Sequence, residues 1–410
     1  MWDCVRAVLV AYAAHYGQVL PGHPGTLSTL TDVLRCMTEQ LGGQELRCPD
    51  GHELERVYKA CKQPVCPCCK GQARRRFVRE VERMRLDCPV MQIVVTLPKS
   101  LREVWAGNRR LVTDALFDAT MGAIAELMAD PAILGVMPGI IGVMHTKGRA
   151  MATHVHIHLA VTRGGLAPDG TWKQFPSKWV FPYGHMSKLV RGKMLDSLTS
   201  LARKPAGDED KLYLPRGLSY ECFYKELIEP LYGQDWNVYF GHQKKSPERL
   251  IKYLSKGAYG GPIGDHEIVS FGKGGVTIRV ERDAHDGEQS GESTVSMSLE
   301  EFGERWLAHV MPKGFKRVRY RGLYASSRRS QLDLARLALH QYAVAHRRKT
   351  LPSLTARPKE PPPPARHCET CGQMMQCTPL QARPRPIQLA VRKSARPPPQ
   401  HARDPTVAAA

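Results

Sequence analysis

THVHIHLAVTRGG, residues 153–165, decides how this chain is read. His154, His156 and His158 occupy every second position, and Val155, Ile157, Leu159 and Val161 fill the places between them. Successive side chains of a β-strand point to opposite faces, so the pattern puts three imidazoles on one face and four aliphatics on the other. The aliphatic face suits a core and the histidine face suits a cleft. Neutral imidazole is the commonest side-chain metal ligand near neutral pH, and two histidines two residues apart on a strand reach one ion. One such histidine would be an ordinary polar residue on a half-exposed strand. Three in register point to a metal.

The flanking segments supply a sheet for that strand. GIIGVMHTKG at 139–148 reads as a strand running into a turn, with the histidine strand as its hairpin partner. MQIVVTL at 91–97 reads as a buried strand ending at Pro98, and a long helix with apolar residues three and four apart starts near Leu101. Residues 173–235 form a mixed, mostly helical insert, followed by a short strand in DWNVYFGH. SPERLIKYLSKGAYGG reads as a helix capped by Ser246, with Pro247 in its first turn and Gly257 or Gly260 at its end. Strands return at 267–281, and EEFGERWLAHVMPKGFKRVRYRGLYA reads as a helix and then a basic strand. From about residue 351 the chain is rich in Pro, Arg and Ala, which predicts disorder apart from HCETCG.

The bulk numbers narrow the partners. A chain of 410 residues can fold as two or three domains. The net charge of +20 suits a polyanion, and nucleic acid comes first. No apolar run reaches the ~18 residues that a membrane-spanning helix needs. The N-terminus lacks a basic start, an apolar core and a small-residue cleavage site, so it does not read as a signal peptide. Of twelve cysteines, seven fall in two clusters with metal-like spacing, which favours a reducing cytoplasm and zinc over disulfides.

Two further constellations carry chemistry. Tyr253 has Lys256 and Arg249 on the same side of its helix, three and four residues away. A tyrosine with a cation one turn on can attack a phosphodiester, although the phenol normally keeps its proton to a pH of about 10. The other is RCPDGHELERVYKACKQPVCPCCK, where Cys48, His52, Cys66 and Cys69 make a Cys3His zinc set and Cys61 is an alternative fourth ligand. Arg74, Arg75 and Arg76 follow on a basic helix, the kind of element that holds DNA phosphates. Cys368 and Cys371, with His367 and Cys377 nearby, form a weaker second zinc candidate.

A metal-binding His-x-His strand followed, after an insert, by a Y-x-x-K helix resembles the HUH endonucleases. The closer resemblance is to the IS91-like rolling-circle insertion-sequence transposases, over roughly residues 25–375. It is carried by the cysteine cluster, TLPKSLREVWAGNRRLVTDALF, LGVMPGIIGVMHTKG, HVHIHLAVTRGGLAPDGTW, DWNVYFGHQKKSPERLIKYLSKGAY and LEEFGERWLAHVMPKGFKRVRYRGLYA. The resemblance implies an α+β HUH fold, a central antiparallel sheet flanked by helices. A zinc-binding, DNA-binding helical domain over 1–85 would precede the nuclease domain over 86–350, with a Pro/Arg-rich tail over 351–410. It implies His156 and His158 as ligands to Mg2+ or Mn2+, with His145 the first candidate for a third ligand and His154 and Glu248 behind it. Tyr253 would be the nucleophile on single-stranded transposon DNA, leaving a 5′-phosphotyrosine, with Lys256 steadying the phenolate or phosphate. The family often has a second tyrosine four residues after the first. That place is Gly257 here, and Tyr259 lies off the face by the helical period, which predicts a single catalytic tyrosine. In the zinc cluster an early cysteine of the family pattern lacks a counterpart, and His52 stands in. The implied protein is cytoplasmic and DNA-associated. A plasmid replication initiator or relaxase of the same superfamily, and a non-catalytic zinc-dependent nucleic-acid-binding regulator, are the alternatives.

Overall fold

The computed structural model describes residues 4–16, 26–176, 181–205, 207–214, 218–241, 246–281, 292–356 and 365–383. Helices α1 (Cys4–Tyr16) and α2 (Thr26–Arg35) lead into the β1 (Gly43–Arg47) and β2 (Leu54–Tyr58) hairpin, then α3 (Lys70–Met84) and β3 (Val90–Thr96). Short α4 (Arg102–Gly107) and long α5 (Arg109–Ala129) precede β4 (Met137–Lys147), β5 (Thr153–Leu166) and β6 (Trp172–Gln174). The insert is α6 (Tyr183–Arg203), α7 (Tyr220–Phe223) and α8 (Glu229–Tyr232), followed by β7 (Val238–Phe240) and α9 (Pro247–Tyr259). Strands β8 (Ile268–Gly272), β9 (Gly275–Glu281) and β10 (Glu292–Met297) form a small sheet. After them come α10 (Leu299–Leu307), β11 (Val318–Gly322), α11 (Arg329–Ala345) and β12 (Gln376–Leu380).

The main sheet runs in the order β11-β4-β5-β3-β7, with β6 added to the end of β5, and every described pairing in it is antiparallel. The histidine strand is therefore central. Its aliphatic face does what alternation demands: Val155, Ile157, Leu159 and Val161 are buried beneath α4, α5 and α6, together with Ile93 and Val95 of β3. The histidine face is covered too, by α3, α9 and α11, through Phe77, Val81, Leu250, Ile251, Leu254, Leu332 and Leu339. Helices thus lie on both sides of an antiparallel sheet.

Helix α9 forms because Ser246 accepts a hydrogen bond from the Arg249 amide at 3.3 Å and Pro247 fits the first turn, where no amide donor is needed. Its apolar residues Leu250, Ile251, Leu254 and Ala258 recur on one face and are buried. Burying each of the larger ones is worth about 2 kcal/mol, enough to seat the helix on the sheet. It runs unbroken through Gly257.

Two features mark the ends of the chain. The first is that Val5, Val8, Tyr12, Leu30 and Val33 share one core with Ile263, Val276, Ile278, Phe302 and Trp306. Helices α1 and α2 bury too little between themselves, so they close on the small sheet and α10 instead. The second concerns the C-terminal stretch predicted to lack structure. Residues 376–380 form β12, which pairs with β1 in the β1-β2 sheet. The rest of that expectation, over 357–364 and 384–410, lies outside the described residues.

Candidate active site and cysteine clusters

Strand pairing assembles the histidines. His145 on β4 sits directly opposite His156 on β5, and His158 lies one pleat further on the same face. The ligand nitrogens of His145, His156 and His158 all lie within 4.8 Å of one another. Ring centroids are 5.2 Å apart for His145 and His156, 4.1 Å for His145 and His158, and 4.9 Å for His156 and His158.

His154 is not in this group. Between His145↔His156 and Lys147↔Thr153 the register slips by one, which is a β-bulge with the extra residue on β5. The bulge breaks the alternation at His154, whose Nδ1 accepts a hydrogen bond from Arg102 at 3.2 Å. The His154 carbonyl in turn accepts from His156 Nδ1 at 2.9 Å. That bond puts the His156 proton on Nδ1 and leaves Nε2 as a lone-pair donor. Glu248, the other reserve candidate, is ion-paired with Arg85 instead.

The donor set fits a divalent ion. Burial holds His156 down to about 4 and His145 well below its ordinary value, with the neighbouring His158 and His156 lowering His145 further. Both imidazoles are therefore neutral and able to ligate near pH 7. Among the described residues, buried His145 Nε2 has no hydrogen-bond partner, and a divalent ion would satisfy it. His158 is oriented by a 3.1 Å hydrogen bond between its Nδ1 and the Gln92 carboxamide on β3.

Helix α9 lays Tyr253 against this cluster. The Tyr253 hydroxyl lies 3.5 Å from His158 Nε2, and the two ring centroids are 5.1 Å apart. Burial raises the Tyr253 phenol above its ordinary value, so it holds its proton until positive charge arrives. Gly257, one turn on, explains how close the helix can come. A Cβ there would lie 1.5 Å from His145 Nε2 and 1.9 Å from its Cδ2. No side chain, a second tyrosine included, fits this position without moving His145 or α9. Tyr259 points elsewhere and packs on Phe77 of α3, with ring centroids 6.0 Å apart.

Beside Tyr253 a cleft of about 880 Å3 opens between α3 and α9. It is lined by Arg74, Arg75, Arg79, Arg249, Lys252 and Lys256. Of the expected basic residues Arg74, Arg75, Arg249 and Lys256 converge here. Arg76 does not line it and bonds Glu80 at 2.8 Å. Arg79 and Lys252 were missed by sequence reasoning. Their helical spacing was a usable signal, with Arg79 four residues after Arg75 and Lys252 three after Arg249 and four before Lys256, but which face of α3 meets α9 was not visible.

The cysteines divide differently from expectation. Cys36, Cys61, Cys66 and Cys69 form one group, and Cys48, His52, Cys368 and Cys371 form another, each with ligand atoms within 4.8 Å. The single set drawn from Cys48, His52, Cys61, Cys66 and Cys69 is therefore corrected. The β1-β2 hairpin separates its members: Cys48 and His52 sit at the tip, Cys36 and Cys61 at the open end, and five-residue strands span about 17 Å. Cys61 Sγ lies 3.8 Å from Cys69 Sγ, and the Cys61 amide donates to Cys36 Sγ at 3.3 Å. A tetrahedral zinc with ~2.3 Å Zn–S bonds sets its sulfurs about 3.8 Å apart. Shared hydrogen bonds push these thiols in opposite directions: Cys61 and then Cys66 hold Cys36 far below its ordinary range, while Cys36 drives Cys61 and Cys66 above theirs, so one proton network links the group. Cys36 was missed because it lies 25 residues upstream of Cys61, outside any local spacing motif.

Comparison with known proteins gives a consistent picture. Residues 139–331 match the family described as "Putative transposase", and residues 8–97 match the "Transposase zinc-binding domain" family. The chain is 29% identical over 325 residues to "Putative transposase y4qJ" of Sinorhizobium fredii, covering 77% of this chain and 80% of that one. It is 28% identical over 310 residues to the transposase for insertion sequence element IS801 of Pseudomonas savastanoi pv. phaseolicola, covering 73% of this chain and 70% of that one. No solved structure matches. No helix among the described residues is long and apolar enough to cross a membrane.

Proposed function

We propose that this chain, whose two family matches and relatives are those of IS91-like transposases with an N-terminal zinc-binding domain, nicks and rejoins single-stranded transposon DNA through a tyrosine, by the rolling-circle route. The observation that carries this reading is the Tyr253 hydroxyl set 3.5 Å from a ligand-type nitrogen of the three-histidine cluster, at the edge of an arginine-lined cleft.

In this mechanism the cleft holds the sugar–phosphate backbone, and Arg74, Arg75, Arg249 and Lys252 balance its charge. His145, His156 and His158 would hold Mg2+ or Mn2+, with the oxygen ligands such hard ions prefer coming from the DNA and water. Bound there, the ion supplies Lewis-acid polarisation of the scissile phosphate and favours the phenolate. Tyr253 Oη attacks phosphorus, the bond to the 3′ oxygen breaks, and a 5′-phosphotyrosine and a 3′-hydroxyl result. Lys256, one turn along and facing the same cleft, neutralises charge on the phenolate and phosphate. Attack of a 3′-hydroxyl on the phosphotyrosine reverses the step and releases Tyr253, so no nucleotide energy source is required. The sheet with its ligands on a central strand supports the HUH fold as the frame for this chemistry, acting on DNA in the cytoplasm.

The test is a covalent-adduct assay with labelled single-stranded transposon ends and Mg2+ or Mn2+. A protein–DNA species should form, and mass spectrometry should place the nucleotide on the peptide holding Tyr253. Tyr253→Phe keeps the ring and its packing and should eliminate the species. An adduct on another residue, or a fully active Tyr253→Phe, would refute the proposal.

A further inference from the structure

The second cysteine group draws its ligands from opposite ends of the chain. Cys48 and His52 belong to the tip of the β1-β2 hairpin, and Cys368 and Cys371 precede β12, more than 300 residues later. The matched zinc-binding family covers residues 8–97, so half of this group lies outside it. We propose that Cys48, His52, Cys368 and Cys371 bind a second, structural zinc ion that pins the C-terminal segment to the N-terminal sheet.

The distances suit that ion. Cys48 Sγ lies 3.5 Å from Cys371 Sγ and 3.7 Å from His52 Nδ1. With Zn–S near 2.3 Å and Zn–N near 2.05 Å, tetrahedral edges are about 3.8 and 3.6 Å. Three sulfurs and an imidazole are a soft set that selects zinc over Mg2+ or Ca2+. Both ligand loops are tight turns: Gly51 N donates to Cys48 O at 3.0 Å, and Gly372 N donates to Cys368 O at 2.9 Å. Gly51 and Gly372 take positive φ of 78° and 74°, which glycine adopts without strain. His367 and Cys377 stand outside the group: His367 bridges Met374, and Cys377 pairs with Leu46 along the strand.

Packing cannot hold β12 by itself. The buried residues at this end are Cys48, Cys368 and Met375, with Leu46 beside them, and β2 and β12 are almost wholly exposed. Beyond the backbone ladder to β1, the side-chain links Arg366 to Glu55, Thr370 to Glu53 and Gln373 to Asp50 are exposed and individually weak. A three-stranded sheet this short on apolar burial needs a staple, and a zinc ion supplies one.

The test is zinc stoichiometry by elemental mass spectrometry on the full-length protein purified without chelator. The expected result is two zinc ions per chain, falling to one in Cys368→Ser/Cys371→Ser, with the remaining ion lost when Cys66→Ser is added. His52→Cys, which keeps a donor, should retain two even if the double serine variant folds poorly, and cobalt substitution should report its change from mixed sulfur–nitrogen to all-sulfur ligation. Trypsin should release the C-terminal segment faster from the double serine variant. One zinc per chain that Cys368→Ser/Cys371→Ser leaves in place would overturn the proposal, as would a Cys48–Cys371 disulfide in the protein as purified. None of these readouts depends on DNA cleavage, so failure here is separable from failure of the tyrosine mechanism.

Discussion

Gly257→Ala is the most discriminating substitution this site allows. In an exposed helix interior, Ala is better than Gly by about 1 kcal/mol, so the change should stabilise α9 if nothing lies nearby. Here the added methyl would fall 1.5, 1.9 and 2.2 Å from three atoms of the His145 ring. That ring cannot step aside freely, because the tilted His158 ring lies at 4.1 Å and His156 at 5.2 Å. Either α9 lifts from the sheet or the histidine cluster spreads. Overpacking of this kind costs roughly 1–3 kcal/mol, which offsets the helical gain and leaves a net loss of up to about 2 kcal/mol. The catalytic effect should be larger than the stability effect, since α9 also carries Tyr253. A displacement near 1 Å between the proposed nucleophile and the proposed metal ligands would cost about a hundredfold in rate. Gly192→Ala provides the control: Gly192 is interior to α6 and a Cβ there meets nothing within 4 Å, so it should stabilise. Urea unfolding and single-turnover cleavage of a single-stranded oligonucleotide measure the two effects. If Gly257→Ala behaves like Gly192→Ala, with added stability and unchanged cleavage, the account of this position is wrong.

Tyr259→Phe should retain single-strand cleavage, because Tyr259 packs on Phe77 rather than on the histidines, and adduct loss equal to that of Tyr253→Phe would contradict this. His156→Ala with His158→Ala should abolish metal-dependent cleavage while circular dichroism stays unchanged, and full activity would exclude the cluster as the ion site. Arg74→Ala with Arg75→Ala should lower the salt slope of single-strand binding by roughly 1.4, at about 0.7 per phosphate contact, while Arg76→Ala, whose side chain bonds Glu80, should leave it nearly unchanged. Burial lowers His156 from 6.5 to about 4 and lowers His145 as well, so the unfolded chain binds more protons between those limits. Stability without added divalent ion is then complete above about 6.5 and falls as the pH drops toward 4, each tenfold difference in proton affinity between the folded and unfolded chain being worth about 1.4 kcal/mol. Urea titrations at several pH values should show this slope flattened in His145→Gln/His156→Gln, and an unchanged slope would count against it.

Local pattern alone determined a good deal. Alternation over 153–161 told which face of the central strand enters the core, because strand geometry leaves a side chain only two directions. Ser246, Pro247 and the apolar period marked α9, and the 3.6-residue period turned Tyr259 away from Tyr253. What only the tertiary structure decided involves residues brought together across chain distance or by irregular backbone. His145 joins His156 and His158, and His154 does not, because a one-residue bulge rotates it toward Arg102. Arg79 and Lys252 enter the cleft, and Arg76 does not, because the packing of α3 on α9 selects one face of each helix. The cysteines show the limit most plainly. Spacing reads ligand pairs on one loop, but a zinc site needs two pairs, and the second pair can come from anywhere in the chain. Cys36 reaches Cys61 across the open end of a hairpin, and Cys368 and Cys371 reach Cys48 only because β12 adds to β1.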